Sequence, residues 1–475
     1  MSTAQIYIDG RWQASASPET IAVIDPATDR VIGHVPAGCP QDVDAAVAAA
    51  ARAQPGWAAL PVAERVAALH RIRQGLQARA EEAALLITQE MGSPLWFSRQ
   101  AQLGLPMKNL DIAARAMERL AQEPEEVIGS TKVVLDAVGV VVAITPWNFP
   151  LHQVTAKIAP ALAAGCSVVL KPSELTPLDA GLLAEVIDQA GLPPGVFNLI
   201  HGSGASVGEA LVTHPLVDMV SFTGSTAAGR RIAGLAAPMM KKLALELGGK
   251  SASIVMPDVD LDQVMPVVLR QGWANSGQVC ACLSRLLVPE GMQGAVLERM
   301  SALAGTWKVG DPMDPDTKLG PLASRLQQSR VQALLRSGLE QGARALTGGL
   351  EPPAGLSQGA YVRPTVLYDV QPGMRVAREE IFGPVICVMT YTDESDAVRM
   401  ANDSDYGLSG GVWSADRTNA ERVARRMRTG QVVINGAPLN VEAPFGGVKQ
   451  SGVGREYGAH GLREYFALKS LQGAV

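Results

Sequence analysis

The sequence lacks a hydrophobic run long enough to cross a membrane, and its cysteines are few. The longest apolar stretch, 137–144, falls well short of a membrane span. The N-terminal residues show no basic segment followed by an apolar one, so no secretory signal is expected. The five cysteines are odd in number and scattered, which argues against a disulfide framework. We therefore predict a cytoplasmic protein without a membrane partner.

The sequence also lacks a long run of basic residues. Its 41 lysines and arginines are balanced by 46 acidic residues, so nothing supplies the positive surface that nucleic acid binding needs. Hydrophobic residues make up 47% and charged residues 18%, which is typical of compact globular proteins. A chain of 475 residues is too long for one ordinary core, so two or three domains are expected.

Strand-like and helix-like segments alternate in the second third of the chain. The strand-like segments are β-branched and end in loops that are rich in glycine or polar residues, at 167–170, 196–200 and 219–222. This alternation is typical of a parallel, doubly wound sheet, which binds dinucleotides at its carboxyl edge. A second α/β series runs from 251 to 435. The predicted fold class is therefore α/β, with two doubly wound domains.

A thiol and a distant carboxylate define the predicted chemistry. Cys280 follows a segment with amides and a glycine, where substrate and cofactor can approach a nucleophilic sulfur. Glu246 lies in an apolar stretch, where burial raises the pKa of a carboxyl group and suits it to general-base work. The plainer interpretation is an inert buried cysteine and a structural carboxylate. The pattern as a whole favours a covalent thiol enzyme with a separate base.

Six motifs in chain order carry a resemblance to a known family. They read Thr-Pro-Trp-Asn-Phe-Pro at 145–150, Lys-Pro-Ser-Glu at 171–174, Phe-Thr-Gly-Ser-Thr at 222–226, Leu-Glu-Leu-Gly-Gly-Lys at 245–250, Asn-Ser-Gly-Gln-Val-Cys at 275–280 and Glu-Glu-Ile-Phe-Gly-Pro at 379–384. With them the chain resembles the aldehyde dehydrogenase superfamily from end to end. The resemblance implies an oxidoreductase that converts an aldehyde to a carboxylic acid through a cysteine thiohemiacetal and a thioester.

The resemblance implies four catalytic residues. Cys280 would be the nucleophile and Glu246 the base that activates water, which places the chain in the hydrolytic rather than the coenzyme-A-acylating branch. Asn148 would stabilise the oxyanion through its side-chain amide, a contribution of about 3 kcal/mol for a well-placed donor. Lys157 would lie near the ribose and a proton path. For Asn148 and Lys157 the plainer interpretations are a turn asparagine and a surface lysine.

The resemblance also implies the cofactor, NAD, and no metal. Lys171 and Glu174 would hold the ribose on the adenine side. A carboxylate there repels a 2′-phosphate, so Glu174 favours NAD, with NADP as an alternative. The helix that begins after Ser225 would receive the pyrophosphate, and Glu380 would hold the nicotinamide ribose. The full predicted set is Thr145, Pro146, Trp147, Lys171, Ser173, Glu174, Gly204, Gly208, Phe222, Thr223, Gly224, Ser225, Gly248, Glu380 and Phe382.

The substrate pocket is predicted from small residues at positions where relatives for small aldehydes often carry aromatic rings. Ala156 and Ala274 occupy two such positions, which should widen the pocket. Medium-sized apolar or aromatic aldehydes are therefore expected. The full predicted lining is Phe149, Gln153, Ala156, Ala274, Val279, Ala281, Leu439 and Phe445.

The predicted domains are a cofactor domain from 1–118 and 138–247, a catalytic domain from 248–450, and a β oligomerisation arm with a C-terminal tail from 119–137 and 451–475. The arm and tail resemble the pieces that pair between subunits in the family, which favours a homodimer or homotetramer. Two other functions stay open at this point. They are a nucleotide-binding scaffold without catalysis, and a thiol esterase that needs no cofactor.

Overall fold

The computed structural model describes residues 5–123 and 125–475. Residues 1–4 of the predicted cofactor domain and residue 124 of the predicted arm lie outside this part of the chain. The strands are β1 Ile6–Ile8, β2 Arg11–Gln13, β3 Thr20–Asp25, β4 Arg30–Pro36, β5 Glu126–Ile128, β6 Thr131–Ala137, β7 Val140–Ile144, β8 Ser167–Lys171, β9 Phe197–Leu199, β10 Met219–Thr223, β11 Lys242–Glu246, β12 Ala252–Val255, β13 Arg285–Pro289, β14 Arg344–Thr347, β15 Thr365–Tyr368, β16 Val385–Tyr391, β17 Gly410–Trp413, β18 Val433–Ile434, β19 Gly452–Val453 and β20 Phe466–Gln472.

The helices are α1 Pro40–Ala58, α2 Val62–Ala78, α3 Ala80–Met91, α4 Leu95–Phe97, α5 Gly104–Leu120, α6 Pro150–Ala164, α7 Leu178–Gln189, α8 Glu209–Thr213, α9 Thr226–Ala236, α10 Leu261–Trp273, α11 Gln293–Ala304, α12 Arg325–Glu340, α13 Arg375–Arg378, α14 Glu394–Asn402, α15 Arg417–Ala424 and α16 Gly458–Arg463.

The first large sheet has eight strands in the order β19-β11-β10-β7-β8-β9-β1-β2. Strands β11, β10, β7, β8 and β9 are parallel, and antiparallel strands close both edges. From β7 the chain moves first to β8 on one side and later to β10 on the other. In such a doubly wound sheet the loops at this switch point separate and leave a crevice at the carboxyl ends of the strands.

The second large sheet has seven strands in the order β14-β15-β16-β13-β12-β17-β18, with β14 antiparallel to the rest. Its inner strands β12, β13, β16 and β17 are almost wholly buried, whereas the edge strands β14 and β18 are partly exposed, and apolar clusters cover both faces of the sheet. This is the near-continuous hydrophobic pattern expected of parallel strands that are covered by helices on both sides. The fold therefore has the two α/β sheets that the sequence predicts, while the predicted domain boundaries stay a prediction.

A separate three-stranded antiparallel sheet joins β20 to β6 and β5. Several apolar side chains on it are exposed, among them Ile128 at 62% and Leu468 at 75%. An exposed strand edge with apolar residues is a surface that another chain can pair with. In the described part of the chain, no helix combines the length and the apolar character that a membrane crossing needs.

Candidate active site

Four loops meet at the carboxyl edge of the first sheet. They follow β7, β8, β10 and β11, which are neighbours in the sheet, and they contain the motifs at 145–150, 171–174, 222–226 and 245–250. Glu246 is the last residue of β11 and pairs with Thr223 at the end of β10. Parallel pairing therefore brings together motifs that are up to about a hundred residues apart in the chain.

The Cys280 loop crosses from the second sheet to this edge. It follows α10, and Asn275, Ser276 and Gly277 all adopt left-handed backbone angles, with φ of +51°, +55° and +73°. A Cβ atom on Gly277 would lie 2.0 Å from the carbonyl oxygen of Gly383, so glycine is required there. Strained backbone of this kind persists only where its surroundings hold it, and it is concentrated at functional sites.

Asn148 is buried and held from several sides next to the Cys280 loop. Its carbonyl oxygen accepts hydrogen bonds from the side chains of Asn275, at 2.8 Å, and Gln102, at 3.0 Å. Its own side-chain nitrogen donates to the carbonyl oxygen of Gln278 at 2.9 Å. A side-chain amide has two hydrogens, so one remains to face an oxyanion near Cys280.

The Cys280 thiol is neutral at physiological pH in this structure. It is half-buried, and burial raises its pKa to about 12, with the charges of Glu380 and Glu246 adding to the effect. The sequence suggested a ready thiolate, but three carboxylates around the sulfur, including that of Glu456, oppose the negative charge. A base must therefore accept the thiol proton before the sulfur can attack a carbonyl.

Glu246 belongs to a buried cluster of ionisable groups. Burial raises its pKa well above the usual range, the nearby Glu456 raises it further, and Lys157 opposes the rise. Lys157 is fully buried, forms a salt bridge with Glu456 and donates a hydrogen bond to the hydroxyl of Thr223 at 2.6 Å. One oxygen of Glu246 has no hydrogen bond partner. This oxygen is therefore free to accept a proton, and the raised pKa makes the carboxylate a stronger base than an exposed one.

A cleft of about 420 Å³ lies beside the cysteine. It is lined by Pro146, Trp147, Asn148, Thr223, Gly224, Ser225, Gly248, Cys280, Glu380 and Phe382, among others. The rings of Trp147 and Phe382 meet edge to face, with their centroids 5.3 Å apart.

Glu380 accepts a hydrogen bond from the backbone nitrogen of Gly249 at 3.0 Å, and burial raises the pKa of Glu380 to about 7. A Cβ atom on Gly248 would lie 2.3 Å from Glu380, so this close approach requires glycine.

Other predicted cofactor residues lie around the ends of β8 and β10. The Lys171 ammonium donates to the carbonyl oxygens of Pro172, at 2.8 Å, and Gly202, at 2.7 Å, and lies 3.7 Å from Glu174. The side chain of Glu174 is half exposed, so its carboxylate is free to accept hydrogen bonds from hydroxyl groups. Thr145 and Ser173 are buried beside them, and Gly204 and Gly208 bound one short π-helical turn.

The start of α9 also faces this region. The side chain of Ser225 caps the helix by accepting the backbone N–H of Ala228, at 3.3 Å. Phe222, by contrast, lies in the apolar core of the first sheet, where its ring packs beneath Gly224. The ring therefore supports the loop that contains Gly224, and the predicted cofactor contact of Phe222 stays a prediction.

The predicted substrate residues are brought together only in part. Ala156 and Phe445 share an apolar cluster with Ile112, Val441 and Tyr457, and Cys280 and Ala281 pack against it. Gln153 is buried with one unpartnered oxygen. Phe149 contacts the ring of Phe97, Val279 and Ala274 are half-buried in the Cys280 loop, and Leu439 is 50% exposed.

A small cavity lies beside Ala156 and is lined by neither Cys280 nor Phe445, so the predicted wide substrate pocket stays a prediction. The cavity there measures about 20 Å³, room for about one water molecule. The ring of Tyr457 enters this space and packs 5.3 Å from that of Phe445, filling the room that the missing aromatic ring at 156 leaves open. The sequence analysis missed both Tyr457 and Glu456. The signal that could have found them is a charged pair at 455–456 that follows closely spaced glycines.

Within residues 5–123 and 125–475, no group of three or more His, Cys, Asp and Glu side chains is arranged to hold a metal ion. Cys282 is buried and its sulfur faces the carbonyl oxygen of Gly272 at 3.2 Å, at the end of α10.

Comparison with known proteins gives consistent results along the whole chain. The model of the aldehyde dehydrogenase family matches residues 12–471. The 3-succinoylsemialdehyde-pyridine dehydrogenase of a Pseudomonas species is 46% identical over 473 residues, which cover 99% of this chain and 98% of the relative. A mutant of aldehyde dehydrogenase C from Pseudomonas syringae, crystallised with NAD+ and octanal, superposes with a TM-score of 0.98 at 45% identity, covering 100% of this chain and 97% of its own. Betaine aldehyde dehydrogenase from Staphylococcus aureus, crystallised with NAD+, superposes with a TM-score of 0.96 at 36% identity. The superposition covers 99% of this chain and 95% of the betaine aldehyde dehydrogenase chain.

Proposed function

This chain belongs to the aldehyde dehydrogenase family and oxidises an aldehyde with NAD, and we propose that Cys280, Glu246 and Asn148 carry out the reaction. The observation that carries the proposal is the convergence of the three at one sheet edge. Asn148 is bonded to the Cys280 loop, and the Glu246 charge acts on the Cys280 thiol. Asn148 and Cys280 line one cleft, and the charge of Glu246 reaches the sulfur, so a nucleophile, a base and an oxyanion donor, the parts that acyl transfer needs, are all present.

The reaction begins when Glu246 accepts the proton of the Cys280 thiol. The sulfur forms a bond to the aldehyde carbon, and the carbonyl electron pair moves to the oxygen. The free amide hydrogen of Asn148 and the backbone N–H of Cys280 stabilise the resulting oxyanion. NAD, when bound, supplies the acceptor for the hydride that leaves the same carbon. Cys280 then holds the acyl group as a thioester.

Hydrolysis is the second half of the reaction. Glu246 first releases the thiol proton to solvent, which regenerates the carboxylate. It then accepts a proton from water, the water oxygen attacks the thioester carbon, and the sulfur leaves with its electron pair and takes up the proton that Glu246 holds. Lys157 and Glu456 set the charge around Glu246, because they share its buried cluster. The product is a carboxylic acid, and Cys280 regains its proton.

The residues present fit a dinucleotide. The cleft at the switch point is lined by Glu380, Phe382 and Trp147 at one end. Because Gly248 has no side chain, the carboxylate of Glu380 can lie close to the backbone there. The helix α9 begins at Thr226 and suits a pyrophosphate. At the other end Glu174 is half exposed and would accept hydrogen bonds from two ribose hydroxyls, whereas a 2′-phosphate would meet its negative charge.

We expect the preferred substrates to be medium-sized apolar or aromatic aldehydes. Ala156 and Phe445 give the substrate side an apolar lining, and a similar protein has been crystallised with octanal.

The test is to measure kcat/KM for octanal, benzaldehyde and acetaldehyde with NAD and with NADP. We expect octanal or benzaldehyde to exceed acetaldehyde by about tenfold or more, since each buried CH₂ contributes about 0.8 kcal/mol. We also expect NAD to exceed NADP. A preference for acetaldehyde would contradict the apolar pocket, and a preference for NADP would contradict the role of Glu174.

A homo-oligomer is the proposed assembly, and the cytoplasm the proposed location. The exposed apolar side chains on β5, β6 and β20 form a surface that symmetry-related copies can cover. The five cysteines are free, as in reducing compartments. Sedimentation velocity should give a dimer or tetramer, and a monomer at micromolar concentration would contradict the assembly.

A further inference from the structure

A chain of three buried polar side chains lies beside the substrate side of the cleft. Asn109 from α5, His152 from α6 and Tyr457 at the start of α16 are connected by hydrogen bonds. The Asn109 side-chain nitrogen lies 3.0 Å from His152 Nδ1, and His152 Nε2 lies 2.7 Å from the Tyr457 hydroxyl oxygen. All three are buried. None of them is used in the reaction described above.

The bonding pattern determines the direction of every hydrogen in this chain. The Asn109 amide group must present nitrogen, because the same atom donates to the carbonyl oxygen of His152 at 3.1 Å, where an amide oxygen would be repelled. The same nitrogen also lies 3.0 Å from the hydroxyl oxygen of Thr155, so its two hydrogens serve three acceptors. A ring hydrogen on His152 Nδ1 would point at this NH₂ group, and we therefore assign the ring hydrogen to Nε2. It follows that the Tyr457 oxygen accepts from His152, and that the Tyr457 hydroxyl hydrogen points elsewhere.

The imidazole keeps this arrangement across the physiological range. Burial and the charge of Lys157 lower the pKa of His152 to about 3. A neutral ring with Nδ1 as the acceptor is therefore the stable form. Within residues 5–123 and 125–475, the Tyr457 hydroxyl has His152 as its hydrogen bond partner and no acceptor for its own hydrogen.

Tyr457 is held in place at some energetic cost. Its backbone has φ of +68° and ψ of 153°, a region that residues other than glycine rarely adopt, at a cost of about 1–3 kcal/mol. Its ring packs against Phe445 in the apolar cluster that Cys280 and Ala281 contact. The strain and the packing fix the Tyr457 ring in the apolar cluster against which Cys280 packs.

We propose that Tyr457 is a specificity-determining residue, whose hydroxyl donates a hydrogen bond to an acceptor atom on the substrate a few bonds from the aldehyde carbon. This inference rests on the proposed apolar substrate side. The favoured class is an aldehyde with an aromatic or alkyl tail that carries one carbonyl oxygen near the reacting end. His152 is a positioning residue, since it acts by orienting Tyr457.

The test compares two substrates that differ in one group, 4-phenylbutanal and 4-oxo-4-phenylbutanal. For the wild-type enzyme with NAD we expect a higher kcat/KM for the oxo compound. In Tyr457→Phe this advantage should fall by about fivefold to tenfold, the effect of one lost hydrogen bond. Octanal, which has no such acceptor, is the reference substrate, and its kcat/KM should fall less in Tyr457→Phe than that of the oxo compound.

His152 variants and a second tyrosine provide the controls. His152→Leu should reduce the advantage of the oxo compound as Tyr457→Phe does, while His152→Gln, which can still donate to the hydroxyl, should retain most of it. Tyr391→Phe removes a buried hydroxyl that bonds the carbonyl oxygen of Val255, away from the cleft, and should leave the ratio unchanged.

The outcomes separate this inference from the proposed function. Equal losses for both substrates and octanal in Tyr457→Phe, or a wild-type enzyme that does not prefer the oxo compound, would overturn the role of the hydroxyl. If Tyr457→Phe does not fold, the test is the ratio of kcat/KM for the oxo compound to kcat/KM for 4-phenylbutanal in the two His152 variants. A ratio that is equal in His152→Leu and His152→Gln would overturn the role of the hydroxyl. A wild-type preference for acetaldehyde over all of these aldehydes would instead refute the proposed substrate class.

Discussion

Replacing Cys280 with alanine should lower aldehyde oxidation by at least about 10⁴-fold, because the mechanism then loses its covalent intermediate. The reason is structural as well as chemical. The loop at 275–280 adopts strained left-handed angles to place this sulfur in the cleft, and no other thiol lines the cleft among the described residues. The measurement is the steady-state rate of NADH formation with octanal.

Cys282→Ala is the matched control. The Cys282 sulfur lies only two residues further along but faces the end of α10, where it contacts the carbonyl oxygen of Gly272. We expect this variant to keep its kcat within a few-fold of the wild type. Similar losses in both variants would indicate a disturbed loop rather than a lost nucleophile. Activity in Cys280→Ala close to that of the wild type would refute the covalent mechanism.

Replacing Glu246 with glutamine should separate the two halves of the reaction. The amide cannot accept a proton from water, so hydrolysis of the thioester should slow by about 10²–10⁴-fold. Acyl formation can continue at elevated pH, where hydroxide removes the Cys280 proton. Rapid mixing at about pH 9 should then show a burst approaching one NADH per active site, followed by slow turnover.

The pH dependence of hydrolysis provides a second signature of the same residue. The pKa of Glu246 is raised, so the base is present above that pKa and is lost as the pH falls through it. The wild-type hydrolysis rate should therefore fall on acidification, and the residual rate in Glu246→Gln should lack this step. Glu421→Gln, at an exposed pair with Arg425, is the control and should behave as the wild type. Unchanged turnover in Glu246→Gln would remove it from the mechanism.

Local patterns in the sequence were sufficient to predict the layered fold. The β-branched segments predicted at 167–170, 196–200 and 219–222 became the parallel strands β8, β9 and β10.

Site residues at the ends of strands could be predicted from the sequence. Site residues that are brought in by packing between distant segments of the chain were missed. Glu246 and Thr223 could be placed because each ends a strand of one sheet. Glu456 and Tyr457 could not, because they reach the site through β19, a two-residue strand that pairs with β11 from more than two hundred residues away. The burial that raises the pKa of Cys280 is likewise a property of the assembled cleft. The charged pair at 455–456 marks this segment in the sequence, but only the assembled sheet shows that the segment reaches Glu246.

The most direct test of the covalent mechanism is to locate the acyl group. Glu246→Gln enzyme should be mixed with NAD and octanal, quenched in acid during the burst, digested and analysed by mass spectrometry. We expect an octanoyl group on the peptide that contains Cys280, attached to that sulfur, in an amount matching the NADH formed. An octanoyl group on another side chain, or a full burst with Cys280 unmodified, would contradict the mechanism.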